Sequence, residues 1–372
     1  MNDEEKMAKN VVADNEIVVT NEDILAAKAA EVTLSTYLNE KYAKSGKVIK
    51  GLDAFDTALL SAGIIVKGDS QRGIESSRMD KFFTTNPSNR LLFPEFVVRT
   101  IKQTVLAQPI TQYLIGETQT ITGDTMKQPT LDLSKESENR KKLKYVRISE
   151  AAEIPTTDMK LAETAINIYK YGRGVKATYE VLRRTTIDMF RKTVELIARF
   201  IVDSELVEIL NVIENGDGNN NPAVVYRRST LNPAGTEGVL DDVTLLKYLM
   251  AHQPFNYDVI VVNQELYIQL VSSQYDPSLA IGITENVPFT FPQGIFRGLT
   301  VLYSEDVAND ANGKARVFGL SKENAIRKIV EQGSTIQELE RRASDQTEVI
   351  YMTENAGFGK IYNEASSILV VD

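Results

Sequence analysis

Few residues in this 372-residue sequence are of a type and spacing that could do chemistry. The single histidine, His252, stands before Gln253-Pro254 at the end of an expected helix, a place for a cap or surface residue rather than a general base. Cysteine is absent, which excludes thiol catalysis, disulfides and Cys-based zinc sites, so a transition-metal site would have to be built from carboxylates. None cluster with metal-ligand spacing. Asp217-Gly218-Asn219-Asn220-Asn221 opens like a calcium loop but lacks the bidentate Glu at the twelfth position, and reads as a turn. Gly172-Arg173-Gly174 has neither the Walker lysine nor the third glycine of a dinucleotide fingerprint. No nucleophile, base and orienting group can be assembled from spacing, and no cofactor is called for. The residues point away from an enzyme and toward a structural protein with protruding arms.

The elements that would carry such arms are organised around one stretch. From Thr178 to Asn215 the chain has no Gly or Pro, and Phe190, Val194, Ile197, Ala198, Ile201, Val202, Leu206, Ile209, Leu210 and Ile213 recur at three-and-four spacing. That spacing predicts one helix, capped by Thr178 and stopped by Asn215-Gly216-Asp217-Gly218. At 1.5 Å per residue it would run roughly 55 Å, longer than a compact domain is wide.

Length and composition agree with a multi-lobed, folded chain: 42% apolar and 25% charged residues are ordinary for a globular protein, and 372 residues exceed what one core usually serves. The acidic start, MNDEEKMAKN, has no apolar h-region, so no signal peptide is expected, and no apolar run reaches the roughly 18 residues of a membrane span. A net charge of -9 argues against a protein that grips nucleic acid tightly.

In chain order, a helix is expected over 22–42 and another over 53–61, in a segment that buries little by itself and must pack on something else. An apolar helix opening near Pro94 and closed by Pro109 comes next. Residues 115–154 alternate on both sides of a charged centre at 134–144, which reads as a long β-hairpin leaning on another molecule; the alternative is a hairpin folded back on its own domain. A strand over 161–177 then feeds the long helix. Beyond it, Asp241 and Asn263 cap helices among strands at 257–262, 299–304 and 316–320, a mixed α/β lobe. Charged strand-like alternation over 325–351 and an apolar strand at 365–371 complete the chain.

Several phrases carry a family resemblance: Ser149-Glu150 to Glu153-Ile154-Pro155, Ile168 to Arg173, Thr178-Tyr179-Glu180 opening the helix, Asn215 to Gly218 closing it, and Pro87 to Phe96 upstream. They resemble the major capsid proteins of tailed bacteriophages, which share the α+β Hong Kong 97-like fold. The resemblance implies an N-terminal arm (1–80), an arm-to-core segment (81–114) and an extended E-loop hairpin (115–155). It implies a P-domain with the spine helix (156–222), an A-domain (223–332), P-domain return strands (333–358) and a C-terminal A-domain strand (359–372). Residues 1–80 are longer than a simple arm requires, and in some relatives a protease removes such a region.

The function implied is that of the major head protein, self-assembling into pentamers and hexamers around double-stranded DNA that it faces only weakly. The other partners implied are a portal and scaffold or decoration proteins, with no membrane; the location is the virion, assembled in the host cytoplasm. Across the E-loop, Lys135, Glu136, Glu138, Arg140, Lys141, Lys142, Lys144 and Arg147 comprise six cations and two carboxylates. The expected ground for them on a neighbour is Glu331, Glu338, Glu340, Asp345 and Glu348. Some relatives weld subunits by a lysine–asparagine isopeptide bond; Lys135, Lys141, Lys142 or Lys144 with Asn355 or Asn363 are the candidates by position, and ordinary solvated lysines are the expectation. Two other readings stay open: an encapsulin-type nanocompartment shell, which would have a shorter arm and E-loop, and a cytoplasmic enzyme whose site escapes notice.

Overall fold

The computed structural model describes residues 17–372 apart from 31, 44, 69–74, 84–86, 108–112, 124, 128, 131–146, 151–153, 155, 157–159, 162–164, 252–254, 274–292, 297–298 and 335. The fold is α+β. Among the described residues three short helices come first, each started by a residue that accepts hydrogen bonds from its own first turn or closes a box around it. Before α1 (Asn21–Ala29), Thr20 donates to Asp23 Oδ2 through both its backbone N and its Oγ1, at 3.0 Å each. Thr33 Oγ1 accepts from Thr36 N at α2 (Leu34–Tyr42), and Asp53 Oδ1 from Asp56 N at 2.7 Å at α3 (Ala54–Ser61). The one helix expected over 22–42 is therefore two, because Thr33 adopts extended backbone (ψ 153°) and caps a new start.

The remaining helical and ribbon elements lead to the long helix. α4 (Pro87–Arg90) and α5 (Leu92–Ala107) precede β1 (Glu117–Ile121). A ribbon follows in which β2 (Thr125–Met126) pairs antiparallel with β5 (Ile166–Asn167) and β3 (Pro129–Thr130) with β4 (Lys160–Leu161). The first limb of the expected 115–154 hairpin thus pairs with Lys160–Leu161 and Ile166–Asn167, beyond that range, rather than with residues 145–154, of which the described 147–150 form no strand; the charged centre lies outside the described residues. β6 (Tyr169–Thr178) enters α6 (Tyr179–Arg184), whose cap Thr178 Oγ1 accepts from Val181 N at 3.3 Å.

The helix expected as continuous to Asn215 stops at Arg184 and restarts as α7 (Ile187–Asn215). Two consecutive β-branched residues, Thr185 and Thr186, leave the helical region there, Thr185 with ψ 138°. An incoming segment captures the released backbone: Met79 N donates to Thr185 O (3.1 Å), Ile187 N to Ser77 O (2.8 Å), and Arg78 bridges Thr186. A tertiary pairing thus beats local helix propensity. The rest of the chain comprises β7 (Val224–Arg227), α8 (Arg228–Leu231), α9 (Asp242–Met250), β8 (Val259–Val262), α10 (Gln264–Ser273), β9 (Gln293–Phe296) and β10 (Leu299–Tyr303). β11 (Ala315–Leu320), β12 (Ile326–Glu331), β13 (Ile336–Arg342), β14 (Thr347–Lys360) and β15 (Ser366–Val371) complete it.

The chain divides into two compact units. The first comprises Met1–Ala107, Lys170–Phe200 and Gln332–Asn355. In it, the N-terminal helices pack on α5: Ser35 donates to Glu95 Oε1 from both N (3.1 Å) and Oγ (2.6 Å), while Arg99 pairs with Asp53 and Asp56 and lies over Phe55. Phe93 gathers Phe82, Phe83 and Phe190 at ring-centroid distances of 5.3, 4.8 and 5.6 Å. β13 and β14 form an antiparallel hairpin, and β6 pairs with β14. Gly172 and Gly174 let Thr353 and Tyr351 lie directly over β6, since a Cβ at Gly172 would stand 2.9 Å from Thr353 Cγ2.

The second unit comprises Gln108–Tyr169, Ile201–Glu331 and Ala356–Asp372. Its six-stranded sheet has the order β7-β15-β11-β8-β10-β9. β8, β11 and β15 are buried along their whole length, as suits central strands that are apolar but for Arg316 on β11 and Ser366-Ser367 on β15. Helices α9 and α10 share one core with them, in which Tyr248, Leu266, Ile260, Val317 and Leu369 are inaccessible. Asp241 and Asn263 cap these two helices as their sequence suggests, accepting from Thr244 N (2.7 Å) and Leu266 N (3.1 Å).

Tyr248 fixes how α9 sits on that sheet. Its hydroxyl bonds Ser367 O (3.1 Å) and Oγ (2.8 Å) on β15, and its ring end occupies the space over Gly319 of β11. A methyl group at 319 would collide with Tyr248 and Tyr257. Gly319→Ala should therefore lower stability by about 1–3 kcal/mol, and Tyr248→Phe by about 1 kcal/mol, read from urea midpoints. A neutral Gly319→Ala would show that α9 is free to move off the sheet.

Candidate assembly surface

The carboxylates expected to receive a neighbour's arm do not form one equivalent set. Four lie in the first unit, on or beside the β13–β14 hairpin; Glu331, half-buried at the end of β12, belongs to the second. Glu338 is exposed on β13 and carries no ion pair among the described residues. Glu340, two residues on, accepts from Arg342 Nη2 and from the Tyr351 hydroxyl, each at 3.0 Å, and Arg342 holds its carboxyl below the usual range. Asp345 is bound by Lys176 Nζ (2.8 Å) and by Thr347 Oγ1 (3.0 Å), which lowers it likewise.

Glu348 is not on the surface. Its residue is 3% exposed, and its Oε1 meets Arg90 Nη2 of α4 at 3.2 Å, while its Oε2 and the Arg90 Nε have no hydrogen-bond partner among the described residues. Arg341 stands opposite it in the β13–β14 register. Burial pushes the Glu348 carboxyl up despite both guanidiniums, because a half-satisfied charge in a dry place keeps most of its desolvation cost. Of the E-loop residues, Lys135, Glu136, Glu138, Arg140, Lys141, Lys142 and Lys144 lie outside the described residues. Arg147 is described and exposed, with Ile148 beside it 40% exposed. His252 also lies outside them.

The position that spacing did not mark is Lys360. It ends β14, is 1% exposed, and sends its ammonium to Ile213 O (3.0 Å) in the last turn of α7 and to Asn221 O (2.6 Å). Its own N donates to Asp217 Oδ2 at 3.0 Å. Around it, Asp217 N donates to Asn221 Oδ1 (3.0 Å), and Asn219 Nδ2 to Asp217 Oδ1 (3.0 Å). Gly216, Gly218 and Asn220 hold φ of 88°, 97° and 52°, which the Asn- and Gly-rich sequence permits. The oxygen-rich turn that opens like a calcium loop thus encloses the chain's own cation. Burial lowers the Lys360 ammonium to about 8, with Asp217 opposing. A lone lysine inside Ala356-Gly357-Phe358-Gly359-Lys360-Ile361-Tyr362 is the sequence signal for it. Of the asparagines named for an isopeptide bond, Asn363 Oδ1 accepts from Asn221 Nδ2 (2.9 Å), and Asn355 N donates to Ser334 Oγ (3.1 Å).

Among the described residues, no group of three or more His, Asp or Glu side chains is placed to hold a metal ion, and no helix is long and apolar enough to cross a membrane. Residues 161–360, more than half of the chain, match the family described as phage capsid protein. The chain belongs to that family. The match takes in β6, the long helix, Lys360 and parts of both compact units. It makes this a structural protein of phage capsids rather than an enzyme, and the α+β architecture is built on the long helix α7.

No curated protein sequence matches the chain. Solved structures similar to it include the SrpI encapsulin complex from Synechococcus elongatus, with 9% identity, 71% of this chain and 87% of that one covered, and a TM-score of 0.47. The procapsid of satellite phage P4 is similar with 11% identity, 74% and 98% coverage, and a TM-score of 0.46. The capsid of cyanophage P-SCSP1u is similar with 14% identity, 69% and 86% coverage, and a TM-score of 0.43. The family assignment rests on the sequence match.

A raised carboxyl binds its proton more tightly in the folded than in the unfolded chain, so Glu348 favours folding increasingly as pH falls toward its ordinary value of 4.5. The stability difference between the protein and its Glu348→Gln variant should therefore shift in favour of the unaltered protein between neutral pH and about 4.5. Urea titrations at several pH values read this, and a pH-independent difference would mean that the carboxylate is solvated.

Proposed function

We propose that this chain is the major head protein of a tailed phage, a subunit that assembles into pentamers and hexamers and closes an icosahedral shell around double-stranded DNA. The observation that carries the reading is the family match over residues 161–360, which spans β6, the long helix and the strands on either side of it. An acidic balance of -9 suits a wall along which DNA must slide while it is packed. In this reading residues 1–80 are the N-terminal arm, 115–155 the E-loop, 156–222 and 333–358 the P-domain, and 223–332 with 359–372 the A-domain. A portal, with scaffold or decoration proteins, follows as partner, and the virion as location.

The E-loop reaches a neighbour's hairpin chiefly by charge. Six cations against two carboxylates over residues 135–147 are drawn to acidic ground. Glu340 and Asp345 already hold Arg342 and Lys176, and Glu348 is buried, so of these four hairpin carboxylates Glu338 is the one best placed to receive a new cation. Each such contact is weak alone and gains weight by repetition over a closed shell.

Purified protein viewed by negative-stain electron microscopy should show capsomer rings or closed shells tens of nanometres across, and these should leave duplex DNA unshifted in a gel at physiological salt. A monodisperse monomer under every condition would contradict the proposal.

A further inference from the structure

In the second unit, exposed apolar side chains gather on the outer side of α9. Its inner side is buried, with Thr244 and Tyr248 inaccessible and Leu245 3% exposed. Facing the other way, at the i, i+3, i+7 spacing of one helix face, stand Val243 (50% exposed), Leu246 (49%) and Met250 (72%). Lys247 lies on the same strip, exposed and without an ion pair among the described residues. An apolar strip of this kind on a soluble unit marks a contact surface when something complementary exists to cover it.

The complement is on α10. Its inner side, Leu266 and Leu270, is buried in the same core, while Ile268 is 55% exposed and Glu265, one turn before it, is exposed with no ion pair among the described residues. The two helices lie on one face of the sheet but toward different ends of it. α9 is anchored over β7, β15 and β11, through Tyr226, Ser367 and Gly319. α10 is anchored over β10, where Tyr267 meets Tyr303 at 5.9 Å. One strip carries a cation and the other a carboxylate. Two unlike, complementary patches on one molecule are what a head-to-tail contact needs, and such a contact closes into a ring when the rotation fits.

We propose that the outer face of α9 of one copy docks on the outer face of α10 of the next copy around a capsomer ring, with Val243, Leu246 and Met250 covering Ile268 and Lys247 pairing with Glu265. The inference rests on the shell reading above and names the surface that joins copies within a ring. The partner is a second copy rather than another protein because charge and apolar character on the two helices are mutually matched. Two α9 strips meeting face to face would oppose Lys247 to Lys247, and that arrangement is disfavoured.

The test uses the full chain and four proteins: unaltered, Lys247→Glu, Glu265→Lys, and the pair together. All four should fold alike by circular dichroism, since both positions are exposed. Each single reversal should lower the fraction assembled into rings or shells about tenfold at low salt, and the double reversal should restore it. A further variant, Leu246→Asp with Met250→Asp, should abolish rings whatever the salt. Single variants that assemble like the unaltered protein, a double reversal that restores nothing, or a Lys247→Glu that assembles better would each overturn the proposal while leaving the shell reading intact. Absence of rings and shells from the unaltered protein would overturn both.

Discussion

A long helix must do something with the carbonyl oxygens of its last turn, and in this protein the answer is an ammonium brought from far along the chain. Lys360 reaches Ile213 O, which also accepts from Ala223 N, and Asn221 O on the far side of the turn. The positive charge sits where the helix dipole is negative, so the electrostatics of the helix end and the hydrogen-bond deficit are met by one group. Because Lys360 closes β14 and its N–H holds Asp217, the same contact joins the end of α7, the turn 216–221 and the last strand pairing of β14, Ile326 with Lys360. The cost is a charge held out of water, which is why the ammonium is depressed to about 8.

That contact also shows what kind of information the sequence hides. Caps are local, and Thr178, Asp241 and Asn263 were legible because their acceptors serve backbone amides three residues away. The buried stripe of α7 was legible for the same reason; Ile197 and Ile201 of that stripe are only partly buried, and the others named from spacing are fully so. The break at Thr185 and Thr186 was not legible, since it is decided by residues 77–79, more than a hundred positions away. Lys360 and its turn are separated by a similar interval.

The candidate surface follows the same division. Alternation marked 325–351 as charged strand, and strands β12, β13 and β14 stand there. Which carboxylates of those strands are open to a partner depends on tertiary neighbours: Arg90 from α4 takes Glu348, and Lys176 from β6 takes Asp345. A capsid protein must keep its internal pairings distinct from those reserved for other copies, and the first unit does so by satisfying most of its hairpin carboxylates from within. The apolar strip of α9 and the outer side of α10 were hidden in sequence because both helices are short, with one side in the core and the other carrying three exposed large apolar residues on α9 and, among the described residues, Ile268 alone on α10.

The central claim is that a buried cation of the chain itself closes the long helix. A lysine whose folded pKa lies below its unfolded one costs stability while it is charged. The penalty is full below about 8, fades as pH rises and is gone above the ordinary value of 10.5, so stability at this group rises with pH across that window. The difference corresponds to about 3 kcal/mol. The most direct measurement is an NMR titration of the Lys360 side-chain nitrogen in capsomers, assigned by comparison with Lys360→Met. An apparent pKa near 8, with the resonance shielded from solvent exchange, is the result expected. A titration at the ordinary lysine value with fast exchange would show that the ammonium lies in water and that the end of α7 is closed by something else.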